Sequence, residues 1–170
     1  GIPYNLVGSV RFYERKEVKD ALGYLRLVIN LSDTISLRRI INFPPRGIGM
    51  KTMDKCVAKA ENENVSLFEV LKDSKQLAIR GKQSDSLLSF YELINKYFLL
   101  QKKLSASELS RSLIEESGII KYYKDSNDVE NKDRYENIIE LLNSIDDFCM
   151  SNPNSTCLLY TSPSPRDVSR

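Results

Sequence analysis

The part of the sequence best suited to chemistry is a glycine-containing turn followed by basic side chains. Gly47 and Gly49 flank one isoleucine, and glycine can adopt a positive φ and let a ligand approach the backbone closely. A helix is predicted to begin directly after this turn. The free amide groups of a helix N-terminus and the positive end of its dipole suit a phosphate group. The candidate site residues are Arg46, Gly47, Ile48, Gly49, Lys51, Thr52, Lys55 and Lys59.

Side chains around the turn are expected to strengthen its attraction for an anion. Arg46 and Lys51 would supply mobile positive charge, and the Thr52 hydroxyl could donate a hydrogen bond. Lys51, Lys55 and Lys59 are spaced by four residues, so they form a stripe along one helix face. This arrangement predicts a helix-hairpin-helix type of phosphate recognition that reads no bases. A plain helix-turn-helix, whose glycines only close the turn, fits the same residues.

Several other kinds of site lack the residues that they need. The chain has no histidine and three cysteines, with no C-x-x-C pair, which argues against zinc and against Ser-His-Asp or Cys-His catalysis. No G-x-x-x-x-G-K-[ST] loop for nucleotide phosphates is present. The cysteine pattern is typical of reduced thiols in a cytoplasmic protein. No apolar run approaches the roughly 20 residues that a membrane span needs.

Charge is distributed unevenly along the chain. The net charge is +2, but the segment from Arg38 to Lys59 carries six basic side chains against Asp54 alone. The segment from Asp125 to Phe148 carries eight acidic side chains against two basic ones. The basic segment hints at an anionic partner. Charge alone, however, favours two solvated helix faces of opposite sign.

The spacing of apolar residues predicts a mainly helical chain. Pro44 and Pro45 should end a helix, Ser66 and Ser105 open helices with capping-box spacing, and Gly118 should end another. A strand candidate covers residues 4–7, and loops are predicted over residues 72–83 and 125–132. The predicted helices cover residues 16–30, 32–42, 51–63, a short segment from Ser66, 84–102, 105–117, 119–124 and 133–150.

Two stretches of this sequence resemble one helicase family. Residues 7–27, VGSVRFYERKEVKDALGYLRL, resemble motif IV of UvrD/Rep/PcrA-like superfamily 1 DNA helicases, in which a strand precedes F-x-x-R-x-E-I-K-D and a Y-L-R helix. Residues 39–52, RIINFPPRGIGMKT, resemble the family's R-I-x-N-x-P-x-R-G-I-G-x-x-T segment. Weaker similarities follow at residues 117–119 and 134–141. Ser9 stands where a second glycine is usual, and Gly23 where a residue with higher helix propensity is usual.

The resemblance implies a fold and a division of the chain. We expect a mainly α fold: a helical 2B-like subdomain with a helix-hairpin-helix-like turn, plus a strand–helix remnant of a RecA-like α/β domain. Residues 1–31 would be the remnant of the C-terminal RecA-like motor domain, and residues 32–156 an incomplete 2B accessory subdomain. A lone strand is unstable, so the part before Ser32 should be poorly supported. The residues implied to hold the motor domain together are Phe12, Arg15, Glu17, Lys19 and Asp20.

The resemblance also implies a function. The parent would be a bacterial ATP-dependent DNA helicase, an ATP hydrolase that moves 3′ to 5′ along single-stranded DNA in repair or replication. ATP and Mg²⁺ would bind elsewhere in the parent, so this part would hold no catalytic residue, metal or cofactor. Its partners would be the remainder of the motor and the backbone of duplex DNA. The alternatives are a free-standing helix-hairpin-helix DNA-binding module and a helical protein-interaction domain.

Both ends of the chain carry expectations of their own. The sequence starts at Gly1 without a methionine, as expected for a piece cut from a longer protein. Residues 157–170 show no helical or strand period, and Cys157 to Asp167 resembles the translation of a sequencing adapter. The alternative is a genuine disordered tail rich in serine and proline. Either interpretation leaves these residues out of the fold.

Overall fold

The computed structural model describes residues 10–151, and this part of the chain is helical. It contains no strand, so the mainly α fold class is confirmed. The strand candidate at residues 4–7 and the adapter-like residues 157–170 lie outside the described residues. The helices are α1 (Val10–Tyr13), α2 (Lys16–Ile29), α3 (Thr34–Ile40), α4 (Met50–Glu63), α5 (Leu67–Lys72), α6 (Gly81–Leu100), α7 (Ala106–Ser117), α8 (Ile119–Lys124) and α9 (Val129–Ser151), with a 3₁₀ turn at Ser74–Gln76.

Helix ends follow the local signals in most places. The Ser105 side chain accepts a hydrogen bond from the Glu108 amide, and the Glu108 carboxylate accepts one from the Ser105 amide, which is a complete capping box. Gly118 ends α7 with a φ of 93°. The prediction of a loop up to residue 132 is wrong, because α9 begins at Val129. The Asp128 carboxylate accepts from the Glu130 amide at 3.0 Å and satisfies one of the free donors of that first turn.

Helix α2 lies at the centre of the helical body. It packs against α3, α6, α7 and α9, and Val18, Ala21, Leu25 and Val28 are completely buried. A helix that is apolar on most sides needs neighbours on most sides. The expectation that the part before Ser32 is poorly supported is therefore wrong for residues 10–31. The division of the chain at residue 31 remains a prediction about the parent protein.

Helices α2 and α3 approach each other closely at Gly23. A Cβ atom added to Gly23 would lie 2.8 Å from Cγ2 of Ile40, which is closer than two carbon atoms pack. Nearby, the carboxylate of Asp20 pairs with Nζ of Lys16 and Nε of Arg39, each at 2.8 Å. The glycine that departs from the family pattern therefore allows the close contact between these two helices.

Residues 10–151 contain neither a candidate membrane-spanning helix nor a candidate metal site. No helix in this part of the chain is both long and apolar enough to cross a membrane. The same residues contain no group of three or more side chains arranged to hold a metal ion. Cys56 is buried without a disulfide partner, and burial raises the pKa of its thiol, which keeps the thiol protonated and inert.

Candidate nucleic-acid interface

The glycine turn joins α3 to α4 and is open at its tip. Gly47 has a φ of 73°, a conformation that residues with a Cβ atom rarely adopt. Gly49 is extended, with φ −82° and ψ 168°, and forms the N-cap of α4. Apart from the adjacent residues in the chain, no atom lies within 4 Å of a Cβ built on either glycine. A ligand can therefore approach the backbone of the turn from outside.

Between the two glycines, Ile48 holds the turn to the body of the protein. Its side chain is 4% exposed, and the side chain of Asn42 binds its backbone on both sides. Asn42 Nδ2 donates to the Ile48 carbonyl at 3.0 Å, and Asn42 Oδ1 accepts from the amides of Arg46 (2.9 Å) and Ile48 (3.3 Å). Ile48 therefore shapes the turn, and its amide is already occupied.

Arg46 points inward rather than toward solvent, so the prediction that it supplies mobile charge is wrong. Its Nη1 atom donates to four carbonyl oxygens at the end of α3 and in the following turn. The C-terminal end of a helix leaves carbonyls without partners and attracts a cation, which explains the inward position. These oxygens belong to Ile40 (3.0 Å), Ile41 (3.0 Å), Phe43 (3.3 Å) and Pro44 (3.4 Å).

Two aromatic side chains complete the surroundings of the Arg46 guanidinium. Its Nη2 atom donates to the Tyr24 hydroxyl at 2.6 Å, and that hydroxyl donates to the Phe43 carbonyl at 2.5 Å. The guanidinium carbon lies 5.0 Å from the centre of the Phe90 ring, within cation–π range. Burial raises the pKa of Tyr24 to about 12, although the charge of Arg46 opposes the shift. Tyr24 therefore remains a neutral acceptor for Arg46.

Gln83, in the first turn of α6, contacts the turn from a third side. Its Oε1 atom accepts a hydrogen bond from the Thr52 hydroxyl and a longer one, at 3.5 Å, from the Gly49 amide. Thr52 is 6% exposed, so the prediction that its hydroxyl is available to a ligand is wrong. Nothing in the local sequence pointed to Gln83, because it lies 34 residues from Gly49.

The three lysines of α4 differ in how free their charges are. Lys51 is exposed and has no partner within residues 10–151. Lys55 is exposed, but its Nζ atom donates to the carbonyl of Ala78. The Lys59 side chain is 18% exposed and pairs with Glu63 at 3.3 Å. Of the predicted stripe, Lys51 is therefore free within residues 10–151, whereas Lys55 and Lys59 are engaged with other groups of the protein.

The beginning of α4 retains free backbone donors. In the part of the chain that the structure describes, the amides of Gly47, Met50 and Lys51 have no acceptor, and no side chain caps this helix. Both glycines, Met50 and Lys51 are exposed. The surface that can meet an anion therefore consists of the open turn, the first amides of α4 and the Lys51 ammonium.

The candidate motif IV residues lie on α1 and α2, except for Arg15, which is the N-cap residue of α2. The buried ones tie helices together. Phe12 is buried, and the Glu17 carboxylate, 5% exposed as a residue, accepts from Asn137 of α9 at 2.7 Å. Asp20 joins α2 to α3 through Arg39. Arg15 and Lys19 are exposed and have no partner within residues 10–151. Their implied role beside a nucleotide cleft remains a prediction.

Comparison with known proteins identifies similar sequences over almost the whole chain. The profile of the UvrD-like helicase C-terminal domain family matches residues 1–158. The ATP-dependent DNA helicase PcrA of Staphylococcus aureus strain Mu50 is 36% identical over 152 residues, which cover 89% of this chain and 21% of that protein. PcrA of Staphylococcus epidermidis strain ATCC 12228 matches with the same identity and coverage. The chain thus spans about a fifth of the length of these relatives.

Proposed function

Because the chain belongs to the UvrD-like helicase C-terminal domain family, we propose that it grips the sugar-phosphate backbone of duplex DNA for a helicase motor. The whole protein would be an ATP-dependent 3′ to 5′ DNA helicase acting in repair or replication in the cytoplasm. ATP and Mg²⁺ would bind outside this chain, which itself would not hydrolyse ATP. Its staphylococcal relatives are named ATP-dependent DNA helicases, which supports the ATP requirement.

The observation that carries the DNA contact is the open glycine turn at the N-terminus of α4. Gly47 and Gly49 leave room for a phosphate, and the free amides of Met50 and Lys51 are donors of the kind that bind one. The Lys51 ammonium adds a positive charge with no internal partner. Contacts of this kind are independent of base sequence.

The remaining predicted contact residues take supporting roles in this proposal. Ile48 and Thr52 are buried and fix the turn. Lys55 and Lys59 lie farther along α4. Because Lys55 donates to a carbonyl and Lys59 pairs with Glu63, they should contribute less to DNA binding than Lys51. Arg46 is anchored inside, as described above.

Salt-dependent binding tests the proposal. The affinity of the chain for a mixed-sequence duplex would be measured by fluorescence anisotropy over a series of salt concentrations. The logarithm of the affinity should fall with the logarithm of salt concentration by about 0.9 per neutralised phosphate. Lys51→Gln should reduce this slope by about 0.9.

The matched control is Lys102→Gln, which removes the same charge elsewhere. Lys102 is exposed and follows the end of α6, whose first turn holds Gln83 beside the glycine turn. At about 1.5 Å per residue, the 20-residue length of α6 separates the two places by roughly 30 Å. Equal slopes for the two variants would contradict the proposed contact.

A helical protein-interaction domain is the second candidate function. The observation in its favour is the acidic exposed surface of α9, which includes Glu136, Glu140 and Asp147. This alternative predicts no salt-dependent duplex binding by the unmodified chain. The titration described above therefore distinguishes the two candidates before any residue is changed.

A further inference from the structure

Arg46 has the most contacts of any side chain around the glycine turn, yet none of them faces outward. Its guanidinium joins four carbonyl oxygens, the Tyr24 hydroxyl and the face of the Phe90 ring. Tyr24 belongs to the buried helix α2 and Phe90 to α6. The Arg46 side chain therefore links the glycine turn to two helices of the core, α2 and α6.

The chemistry of this place requires arginine rather than positive charge alone. A guanidinium presents five donors in a rigid planar fork and stacks on aromatic rings. A lysine ammonium is a compact charge on a flexible stem, with three donors and no planar face. Lysine could not reach the carbonyls of Ile40 and Ile41 while also donating to Tyr24 and lying over the Phe90 ring.

We propose that Arg46 is a positioning residue for the duplex contact: it does not hold a phosphate but fixes the glycine turn against α2 and α6. This inference rests on the proposed function of the turn. With the turn fixed, the amides of Met50 and Lys51 and the Lys51 ammonium are already in place when DNA arrives. Such preorganisation improves affinity because the turn loses less conformational entropy when DNA binds.

Arg46→Lys and Arg46→Gln in the full chain separate positioning from direct contact. If Arg46 positions the turn, both variants lose about tenfold in duplex affinity at every salt concentration, while the salt slope stays at the unmodified value. If Arg46 touched a phosphate, the lysine variant would retain affinity and the glutamine variant would lower the slope by about 0.9. Rescue by lysine, or a reduced slope in the glutamine variant, would overturn the proposal.

A purely structural role is tested in the same samples. Circular dichroism would first select a temperature at which each variant keeps its native helix content. A variant that has the unmodified affinity there, and has lost thermal stability alone, would overturn the proposal. Lys51→Gln serves as the reference for a direct contact, because it should lower the slope.

Tyr24→Phe keeps the proposal testable if neither Arg46 variant folds. It removes the hydroxyl that accepts from Arg46 and keeps the buried ring. We expect about a threefold loss of affinity with an unchanged slope, and an unchanged affinity would count against positioning. If the unmodified chain shows no salt-dependent binding, the proposed function itself fails, which is a different result from any of these.

Discussion

The glycine turn and the α7–α9 region use charged side chains in different ways. At the turn, Arg46 is held by neutral carbonyl oxygens and aromatic rings. In the α7–α9 region, Arg111 of α7 pairs with Asp146 of α9, and their side chains are 43% and 27% exposed. Lys96 and Glu116 join α6 to α7 with 52% and 44% exposed side chains. The two regions thus differ in the partners of their positive charges, which are neutral groups at the turn and carboxylates in the α7–α9 region.

This difference shows why the number of charges does not predict which of them can bind a partner. The sequence around the turn is rich in basic residues, but Arg39 and Lys59 are paired and Arg46 points inward. Of the basic residues from Arg38 to Lys59, Arg38 and Lys51 are exposed with side chains that have no partner within residues 10–151, and Lys51 is the one in the first turn of α4. Buried polar contacts between elements are strong and specific, whereas exposed ion pairs contribute little.

The largest expected effect is that of Arg46→Gln on stability. Removing the guanidinium leaves the carbonyl oxygens of Ile41 and Pro44 without a donor within residues 10–151, and such a loss costs about 2–3 kcal/mol. The free energy of unfolding, measured by urea denaturation, should fall by this amount. A loss below about 1 kcal/mol would show that water replaces the guanidinium at these carbonyls, and the contrast between the two regions would disappear.

The sequence predicts the helix boundaries better than it predicts this network. The Ser105 capping box and the end of α7 at Gly118 depend on residues within one helical turn of each other, so a local pattern suffices. The inward direction of Arg46 depends on Tyr24, which lies 22 residues away. The Thr52 hydroxyl is unavailable to a ligand because it donates to Gln83, which lies 31 residues away. Local spacing contains no information about these contacts.

A second difference between sequence and structure concerns the beginning of the chain. The motif on α2 resembles part of a motor domain, and a remnant without its sheet was expected to lack support. The structure surrounds α2 with α3, α6, α7 and α9. The apolar residues of α2 follow helical spacing, but more than one face is apolar, and this feature would have indicated burial among several helices.

Gly23→Ala should produce the next largest effect. Alanine raises helix propensity by about 1 kcal/mol, but its Cβ would lie 2.8 Å from Cγ2 of Ile40. Overpacking of this kind costs about 1–3 kcal/mol, so we expect a net loss of about 1 kcal/mol in the free energy of unfolding. Urea denaturation would measure it.

Gly81→Ala is the matched control for this substitution. Gly81 is exposed at the beginning of α6, and nothing lies within 4 Å of a Cβ added there. Alanine at this position should leave stability unchanged or raise it slightly. A stabilising Gly23→Ala would show that α2 and α3 separate at little cost and that the region of the glycine turn is less rigid than its contacts indicate.

Arg111→Gln should have a smaller effect, although Arg111 also joins two helices. Its Nε atom lies 3.0 Å from Asp146 Oδ2, and its Nη2 atom donates to Asn143 at 2.8 Å. Because this pair is open to water, its loss should cost less than about 1 kcal/mol, and less still at high salt. A loss equal to that of Arg46→Gln, in the same urea experiment, would remove the distinction between the two regions.

The smallest expected effects appear in the pH dependence of stability. Hydrogen bonds from Lys96 and Tyr97 lower the pKa of Glu116. Burial raises the pKa of Asp146, but hydrogen bonds from Arg111 and Ser107 outweigh it and lower the pKa overall. A carboxyl pKa that is lower in the folded state stabilises the fold above the unfolded value of about 4. That stabilisation is lost as the pH falls through the folded pKa.

Buried tyrosines should make the protein lose stability in the alkaline range as well. The pKa of Tyr24 is raised to about 12, so its contribution is present below about pH 10, the unfolded value, and is lost as the pH rises toward 12. Burial also raises the pKa of Tyr97 and of Tyr123, so the alkaline loss has three sources. Glu116→Gln and Asp146→Asn should flatten the acid side of a stability–pH curve, and Tyr24→Phe part of the alkaline side. If Tyr24→Phe leaves the alkaline side unchanged, the buried hydroxyl at the turn contributes nothing to it.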